Sequence, residues 1–361
     1  WPDAAVINRH VRHLPRKPHP PVFARFPQWM WRNEEIASLI AWMRRHNEGR
    51  PSSQQVGFHG LDIYSLGASI EAVLRYLDEV DPDAAAVARE RYGCLTPWQQ
   101  SPAVYGRAAL RAGYAICEEA VVRQCRELLE QRLGEWAEME PEQLDAAQNA
   151  RLVASAERYY RVMYYGGAES WNLRDSHMAD TLDQLLQAHG PQSKAIVWAH
   201  NSHIGDARHT DMGRARGEHN IGQLCRERHP GQTALIGFGT HTGTVAAAED
   251  WDEPMQVMTV RPSRSGSFEL LCHESGIERF VLDLREGGDE ALRRRLSEPM
   301  LERYIGVIYR PDTELQSHYA QSAPAQQFDA WVWFERTRAV SPIGGPSATG
   351  DEVPDTYPFG V

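Results

Sequence analysis

Two histidines three positions apart stand where a short apolar run ends, in Trp198-Ala-His-Asn-Ser-His-Ile-Gly205. An imidazole takes or gives a proton near neutral pH, and a second imidazole or an amide can orient it or support a developing oxyanion. His200, Asn201 and His203 are therefore the first candidates for activating a water. Two imidazoles with a carboxylate also make a common zinc site. The spacing here does not select that reading, because the helical zinc pattern sets its histidines four apart and encloses a glutamate, whereas Asn201 and Ser202 fill this interval.

Two other stretches are dense in polar groups. Glu169-Ser-Trp-Asn-Leu-Arg-Asp-Ser-His-Met178 opens an expected helix, and Arg174 in it can pair with a carboxylate or a polarised carbonyl. The plainer reading is a capped, salt-bridged helix start, with Glu169 and Asp175 complementing the helix dipole. In Phe58-His-Gly-Leu-Asp-Ile-Tyr-Ser65, His59, Asp62 and Tyr64 can line a cleft, or the segment is a turn capped by Asp62 or Ser65. Trp29 and Trp31, in Phe26-Pro-Gln-Trp-Met-Trp-Arg-Asn33, serve either as core or as the wall that a large apolar ligand requires.

These groups must be positioned by regular elements. Helical spacing of Ile36, Leu39, Ile40 and Met43 predicts a helix over Glu34–Arg45 with Asn33 as its cap, and a second runs from Ser65 to Val80, broken by Asp81-Pro82. From Val104 to Tyr165 the charged, alanine-rich sequence predicts two long helices joined near Met139 to Glu142, and another helix spans Ser170–Leu186, stopping at His189-Gly190-Pro191. Beyond Pro191, strands are expected at Lys194–His200, Thr233–Phe238, Arg279–Asp283, Ile305–Tyr309 and Val332–Phe334.

Alternation of strands and helices implies an α/β fold with a mixed, largely parallel sheet flanked by helices. It divides the chain into an N-terminal part of the α/β core (1–100), a helical subdomain (101–190), the C-terminal part of the core (191–340) and an irregular tail (341–361). Ligands of open α/β sheets sit beyond the carboxyl ends of strands, which is where the Trp198–Gly205 stretch falls. No internal repeat and no glycine-rich phosphate loop is present, which argues against a nucleotide-binding architecture.

Composition narrows the function. The 361 residues are 42% apolar and 24% charged, ordinary for a folded globular protein. A formal net charge of −11 argues against nucleic acid or anionic lipid as partner. Nowhere does the chain approach the roughly 20 apolar residues of a membrane span. It reads as a cytoplasmic protein without a membrane partner. The five cysteines (Cys94, Cys117, Cys125, Cys225, Cys272) are scattered without a CxxC, so reduced and mostly buried thiols are expected. The sequence begins at Trp1 with no signal-peptide pattern and reads as a fragment.

Several stretches, in one order over nearly the whole chain, resemble the erythromycin esterase family. They are Trp1-Pro-Asp-Ala4 with Asn8-Arg9, the Phe26–Asn33 stretch, Gly60-Leu-Asp-Ile-Tyr-Ser65, Glu169–Asp175 with His177-Met178, and Trp198–His203. Ile305-Gly-Val-Ile-Tyr-Arg-Pro311, Ser317-His-Tyr319 and Gln327-Phe-Asp-Ala330 complete the match. The resemblance implies hydrolysis of a small-molecule ester, macrolide lactone opening being the activity that names the family. It further implies a histidine-activated water, no covalent serine intermediate and no cofactor.

By the same resemblance, a long-helix insertion forms one wall of the cleft, and His200 and His203 are catalytic. Asn201, Glu169, Trp171, Asn172, Arg174, Asp62, Tyr64, Trp29 and Trp31 then bind substrate or support the site. Family members carry a Gly-Glu-x-x-His-Gly motif, with the principal catalytic histidine, and a second strand ending in a glutamate upstream of the Trp-Pro-Asp-Ala segment. Neither occurs here, and loss of that histidine is expected to cost general-base catalysis worth about 10²–10⁴ in rate. Two other functions compete: a metal-dependent hydrolase with His200 and His203 as ligands, and a binding relative without turnover.

Overall fold

The computed structural model of the chain describes residues 1–15, 22–24, 27–99, 102–110, 117–128, 136, 139–164 and 167–344. They fall into two units, one built from residues before 196 other than 27–34, the other from 27–34 and 196–344.

Every regular element of the first unit is helical. The helices are α1 (Pro2–Val11), α2 (Glu34–Asn47), α3 (Leu66–Val80), α4 (Pro82–Tyr92), α5 (Pro102–Ala109), α6 (Glu118–Leu128), α7 (Pro141–Val162) and α8 (Ala168–His189). Leu66, Ile70, Val73 and Leu77 recur at helical spacing, and all four are buried. The small Ala147, Ala150 and Ala156 on α7 join them in one core with Val153, Tyr159 and Tyr160. Local chemistry fixes the boundaries. Asp81 ends α3 and caps α4 by accepting a hydrogen bond from the Ala84 N–H (2.9 Å). Pro141 starts α7 inside a capping box between Glu140 and Gln143. Gly190, at a φ of 87° that side-chain-bearing residues rarely adopt, stops α8.

The second unit holds the sheet. Its strands are β1 (Ile236–Ala247), β2 (Gln256–Val260), β3 (Arg279–Asp283), β4 (Met300–Arg303), β5 (Tyr319–Ser322) and β6 (Ala330–Thr337). Four of them run in the order β2-β1-β6-β3, and β4 pairs with β5 separately. The fold is mixed α/β, with parallel pairing between β1 and β6 and antiparallel pairing of β2 with β1 and of β3 with β6. The helices are α9 (Asn201–Ile204), α10 (Asp211–Arg216), α11 (Ile221–Arg228), α12 (Phe268–Glu274), α13 (Glu290–Leu296), α14 (Glu314–His318) and α15 (Pro324–Gln327).

One sheet face is the core. Trp331 and Trp333 are fully buried there, and Trp331 lies against Phe268 of α12 with ring centroids 4.8 Å apart. Gly237 and Gly239 on β1 make room for it, since a Cβ would stand 2.6 and 2.3 Å from the Trp331 ring. Positions of opposite parity point the other way, and Ile236, Phe238, Val281 and Phe334 are exposed.

Several expectations are corrected. Lys194–His200 has strand composition but no ladder among the described residues, and Ile196 is 98% exposed. A strand exists only where a partner supplies hydrogen bonds, which composition does not reveal. Ile305–Tyr309 is likewise not a strand, making one bridge between Ile308 and Ala248. β1 starts three residues later than expected, at Ile236, and continues to Ala247 through a polar stretch whose pattern hid it. The two long helices expected over 104–165 are α5, α6 and α7. Cys94 and Cys117, read as thiols, form a disulfide, because the fold brings their Cα atoms to 5.9 Å across 23 residues. The tail from 345 onward lies outside the described residues.

Candidate active site

The histidine stretch folds as a single helical turn. His200 caps α9, so its Nδ1 faces the Ser202 hydroxyl (2.8 Å) and the Ser202 N–H (3.3 Å). Its Nε2 lies 3.1 Å from the Ile305 carbonyl oxygen. A carbonyl only accepts, so Nε2 carries the proton and Nδ1 holds the lone pair. Burial, followed by the neighbouring His203, lowers the His200 pKa to about 4. The imidazole is therefore neutral at physiological pH. His203, one turn along, is buried.

Asn201 fastens this turn to the sheet. Its Nδ2 donates to the Phe238 carbonyl (2.8 Å), and its Oδ1 accepts from the Phe238 N–H (3.2 Å), as a neighbouring strand would do at that edge of β1. Asn220 adds a hydrogen bond from its Nδ2 to the Ser202 carbonyl (2.7 Å).

A residue that the sequence reading missed lies against this turn. Glu302 of β4 is fully buried and 3.5 Å from Asn201 Nδ2, and it accepts a 2.7 Å hydrogen bond from the Ser322 hydroxyl. Burial pushes its pKa up to about 8, so it is largely protonated at neutral pH and can donate as well as accept. Tyr304, two residues on, sets its ring 6.0 Å from that of His200, tilted by 55°, and receives a hydrogen bond from Gln327. The signal was available in Met300-Leu-Glu-Arg-Tyr304, where adjacent charges interrupt an apolar run. Arg303 beside it is buried and donates to the carbonyls of Thr240 (2.6 Å), His241 (3.0 Å) and Arg261 (2.6 Å).

In the first unit, two motifs far apart in sequence meet. Arg174 donates through Nε and Nη2 to the two oxygens of Asp62, at 3.0 and 2.8 Å. Its guanidinium lies 4.9 Å from the Tyr64 ring centroid, and the Tyr64 hydroxyl is 3.4 Å from that of Tyr159. Trp171 and Asp175 are buried nearby on α8, whereas Glu169 is exposed and only 3.9 Å from Arg158. Asn172 sits half-buried on the same helix. His177 meets the Ser155 hydroxyl at 3.0 Å, and its burial lowers its pKa to about 3. His59 is neutral for the same reason, its pKa also lowered to about 3 by burial. Asp62 thus serves Arg174 and the Ile63 N–H rather than a helix cap.

The tryptophan pair divides between two roles. Trp29 is buried and donates through Nε1 to the Ala246 carbonyl (3.0 Å), holding its loop to β1. Trp31 is half-buried, edge-on to the exposed Trp198 at 6.1 Å. Among the described residues no helix is long and apolar enough to cross a membrane.

The family described as erythromycin esterase matches this chain over residues 1–337. The Bacillus subtilis (strain 168) protein named "Putative hydrolase YbfO" is 21% identical over 329 residues, covering 85% of this chain and 68% of its own length. A solved structure described as a succinoglycan biosynthesis protein superposes with a TM-score of 0.74 at 20% identity, over 95% of this chain and 79% of its own. A Bacillus cereus protein gives 0.72 at 17% identity, over 97% of this chain and 80% of its own. A mutant of erythromycin esterase EreC in its open conformation gives 0.60 at 15%, over 97% and 82%. At these identities the superpositions establish the shared fold.

Proposed function

Because the chain belongs to the erythromycin esterase family, we propose that it is a hydrolase of hydrophobic esters, a macrolide lactone among them, working through a water activated at the His200–His203 turn. The family assignment supports the hydrolase role. The observation that carries the finer reading is the turn itself, two imidazoles and an amide fixed by Ile305, Ser202 and Phe238 in a buried setting.

In this reading the water oxygen attacks the ester carbonyl carbon and its proton passes to an imidazole. Collapse of the tetrahedral oxyanion breaks the bond to the alkoxide, which takes the proton back and leaves a carboxylic acid and an alcohol. His200, neutral and hydrogen-bonded at both ring nitrogens, positions the turn, and in this reading the neighbouring His203 carries the proton. Asn201, Glu302 and Tyr304 keep the turn in place. Within the first unit, the Arg174–Asp62 pair and the Tyr64 ring beside it, with Trp171, Asn172 and Glu169 of the same helix as Arg174, are the further substrate-binding or supporting groups of this reading. Trp31 offers an aromatic surface.

A catalytic metal at His200 and His203 has less support. Among the described residues no third imidazole, thiolate or carboxylate joins the two within reach of one ion.

The test is mass-spectrometric. The protein is incubated with erythromycin and with simple aryl esters, and products that have gained one water are sought. Histidine acid–base chemistry contributes about 10²–10⁴ in rate. Water addition to any of these esters supports the reading. Saturable binding with no turnover of any ester overturns it in favour of a binding relative.

A further inference from the structure

The sheet's buried side carries a second cluster of ligating groups, away from the His200 turn in sequence and unconnected with the proposed hydrolysis. His241 on β1 and Glu335 on β6 are cross-strand neighbours, lying between the paired positions Thr240 with Phe334 and Thr242 with Arg336. Alternation puts both on the Trp331 and Trp333 face. There α12, capped by the Ser267 hydroxyl on the Leu270 N–H (3.1 Å), ends with His273 over the pair. Three segments of one unit thus deliver two imidazoles and a carboxylate to one place, with one ligating atom from each within 4.8 Å of the others.

We propose that His241, His273 and Glu335 bind a divalent transition metal ion of the zinc class, leaving its remaining positions to water or a ligand. Two histidines and one glutamate are a donor set that Zn²⁺ takes in open sites. Metal–nitrogen and metal–oxygen bonds of about 2.0–2.2 Å put cis donors roughly 3 Å apart. His273 Nδ1 and Glu335 Oε1 already stand 2.8 Å apart.

His241 is also prepared on its far side, with Nδ1 2.6 Å from the Ser263 hydroxyl. Donation from Nδ1–H to that oxygen leaves Nε2 with its lone pair, the usual outer-shell support of a metal-bound histidine. The Ser263 N–H, 3.3 Å from the same nitrogen, is then released. All three residues are half-buried, so solvent reaches the site.

Two features must yield for an ion to enter. The imidazoles lie parallel, 6° apart in plane with centroids at 3.7 Å, so their in-plane lone pairs run side by side. Rotation of the partly exposed His273 about its Cβ–Cγ bond turns its nitrogen toward the ion. The Arg303 guanidinium, held 3.0 Å from the His241 carbonyl oxygen, opposes a cation, and the Glu335 carboxylate offsets it.

The probes are Zn²⁺ and Co²⁺ alone, added to the full chain after treatment with chelator and dialysis. Wild type and His203→Ala should each retain one equivalent of Zn²⁺. Both should give the intense visible absorption of Co²⁺ in a low-coordinate nitrogen and oxygen site. His273→Gln and Glu335→Gln should weaken binding by at least ~10-fold, the lower end of what loss of a supporting group alone costs. Far-UV circular dichroism checks folding, and Glu335→Gln, which keeps size and shape, stands in if His273→Gln misfolds. Wild type that takes up no ion, or site variants that bind as tightly as wild type, would overturn the proposal. So would loss of binding in His203→Ala alone, which would instead put the ion at the His200 turn.

Discussion

The side-chain amide of Asn201 hydrogen-bonds the backbone of Phe238 in both directions, 37 residues away in sequence. It satisfies one N–H and one carbonyl at an edge of β1, and in doing so it aligns His200 and His203 with the sheet. Catalytic geometry is sensitive to displacements of an ångström. Asn201→Ala is therefore expected to lower stability by about 0.5–1.5 kcal/mol, the net worth of a hydrogen bond whose exposed backbone partners water can satisfy instead. Turnover of a competent ester should fall on the order of 10²-fold. Urea unfolding and steady-state kinetics measure the two. Full activity would show that the turn holds its place without the amide.

The pairing of Arg174 with Asp62 leads to a different expectation. Lysine keeps the charge but cannot make two parallel hydrogen bonds to a carboxylate. Arg174→Lys should thus cost stability almost as Arg174→Ala does, about 1–3 kcal/mol for a pair that is only partly buried. Thermal unfolding of the two variants and of Asp62→Asn decides this, and a fully stable Arg174→Lys protein would contradict it.

Burial gives the second unit two pH signatures of opposite sign. Glu302 has its folded pKa raised to about 8 from 4.5, so the folded state keeps a proton that the unfolded chain releases. Its contribution is fully present below pH 4.5 and is lost as pH rises toward 8. His200 has the opposite sign, with a folded pKa of about 4 against 6.5 unfolded, so its contribution is present above pH 6.5 and is lost as pH falls toward 4. Glu302→Gln, neutral at every pH, should remove the fall in stability between about pH 4.5 and 8 and leave the His200 rise between about pH 4 and 6.5. A profile unchanged between pH 6.5 and 8 would show that Glu302 ionises normally.

Much of this was legible in the sequence, for stated physical reasons. Helical spacing placed α3 and α8, Asp81-Pro82 and Pro141 marked real boundaries, and Arg279–Asp283 is a strand as read. The polar stretches around His200, Arg174 and Asp62 were singled out by residue type. What was not legible depends on partners distant in sequence. Lys194–His200 has the β-branched and aromatic character of a strand without a ladder, and β1 extends through polar residues because β6 runs beside it. Glu302 sits inside an apolar run whose charges look solvated until the fold buries them. The Cys94–Cys117 bond and the His241, His273 and Glu335 cluster have no local spacing signal at all.

The most direct test of the account is the turnover of erythromycin, or of whichever ester the protein hydrolyses, by the His203→Ala and His203→Asn variants, with the water-addition product quantified by mass. The account predicts a fall of about 10²–10⁴ in rate with unfolding temperature and ester affinity near those of wild type. Wild-type turnover in both variants would contradict it, because the proton would then be handled elsewhere.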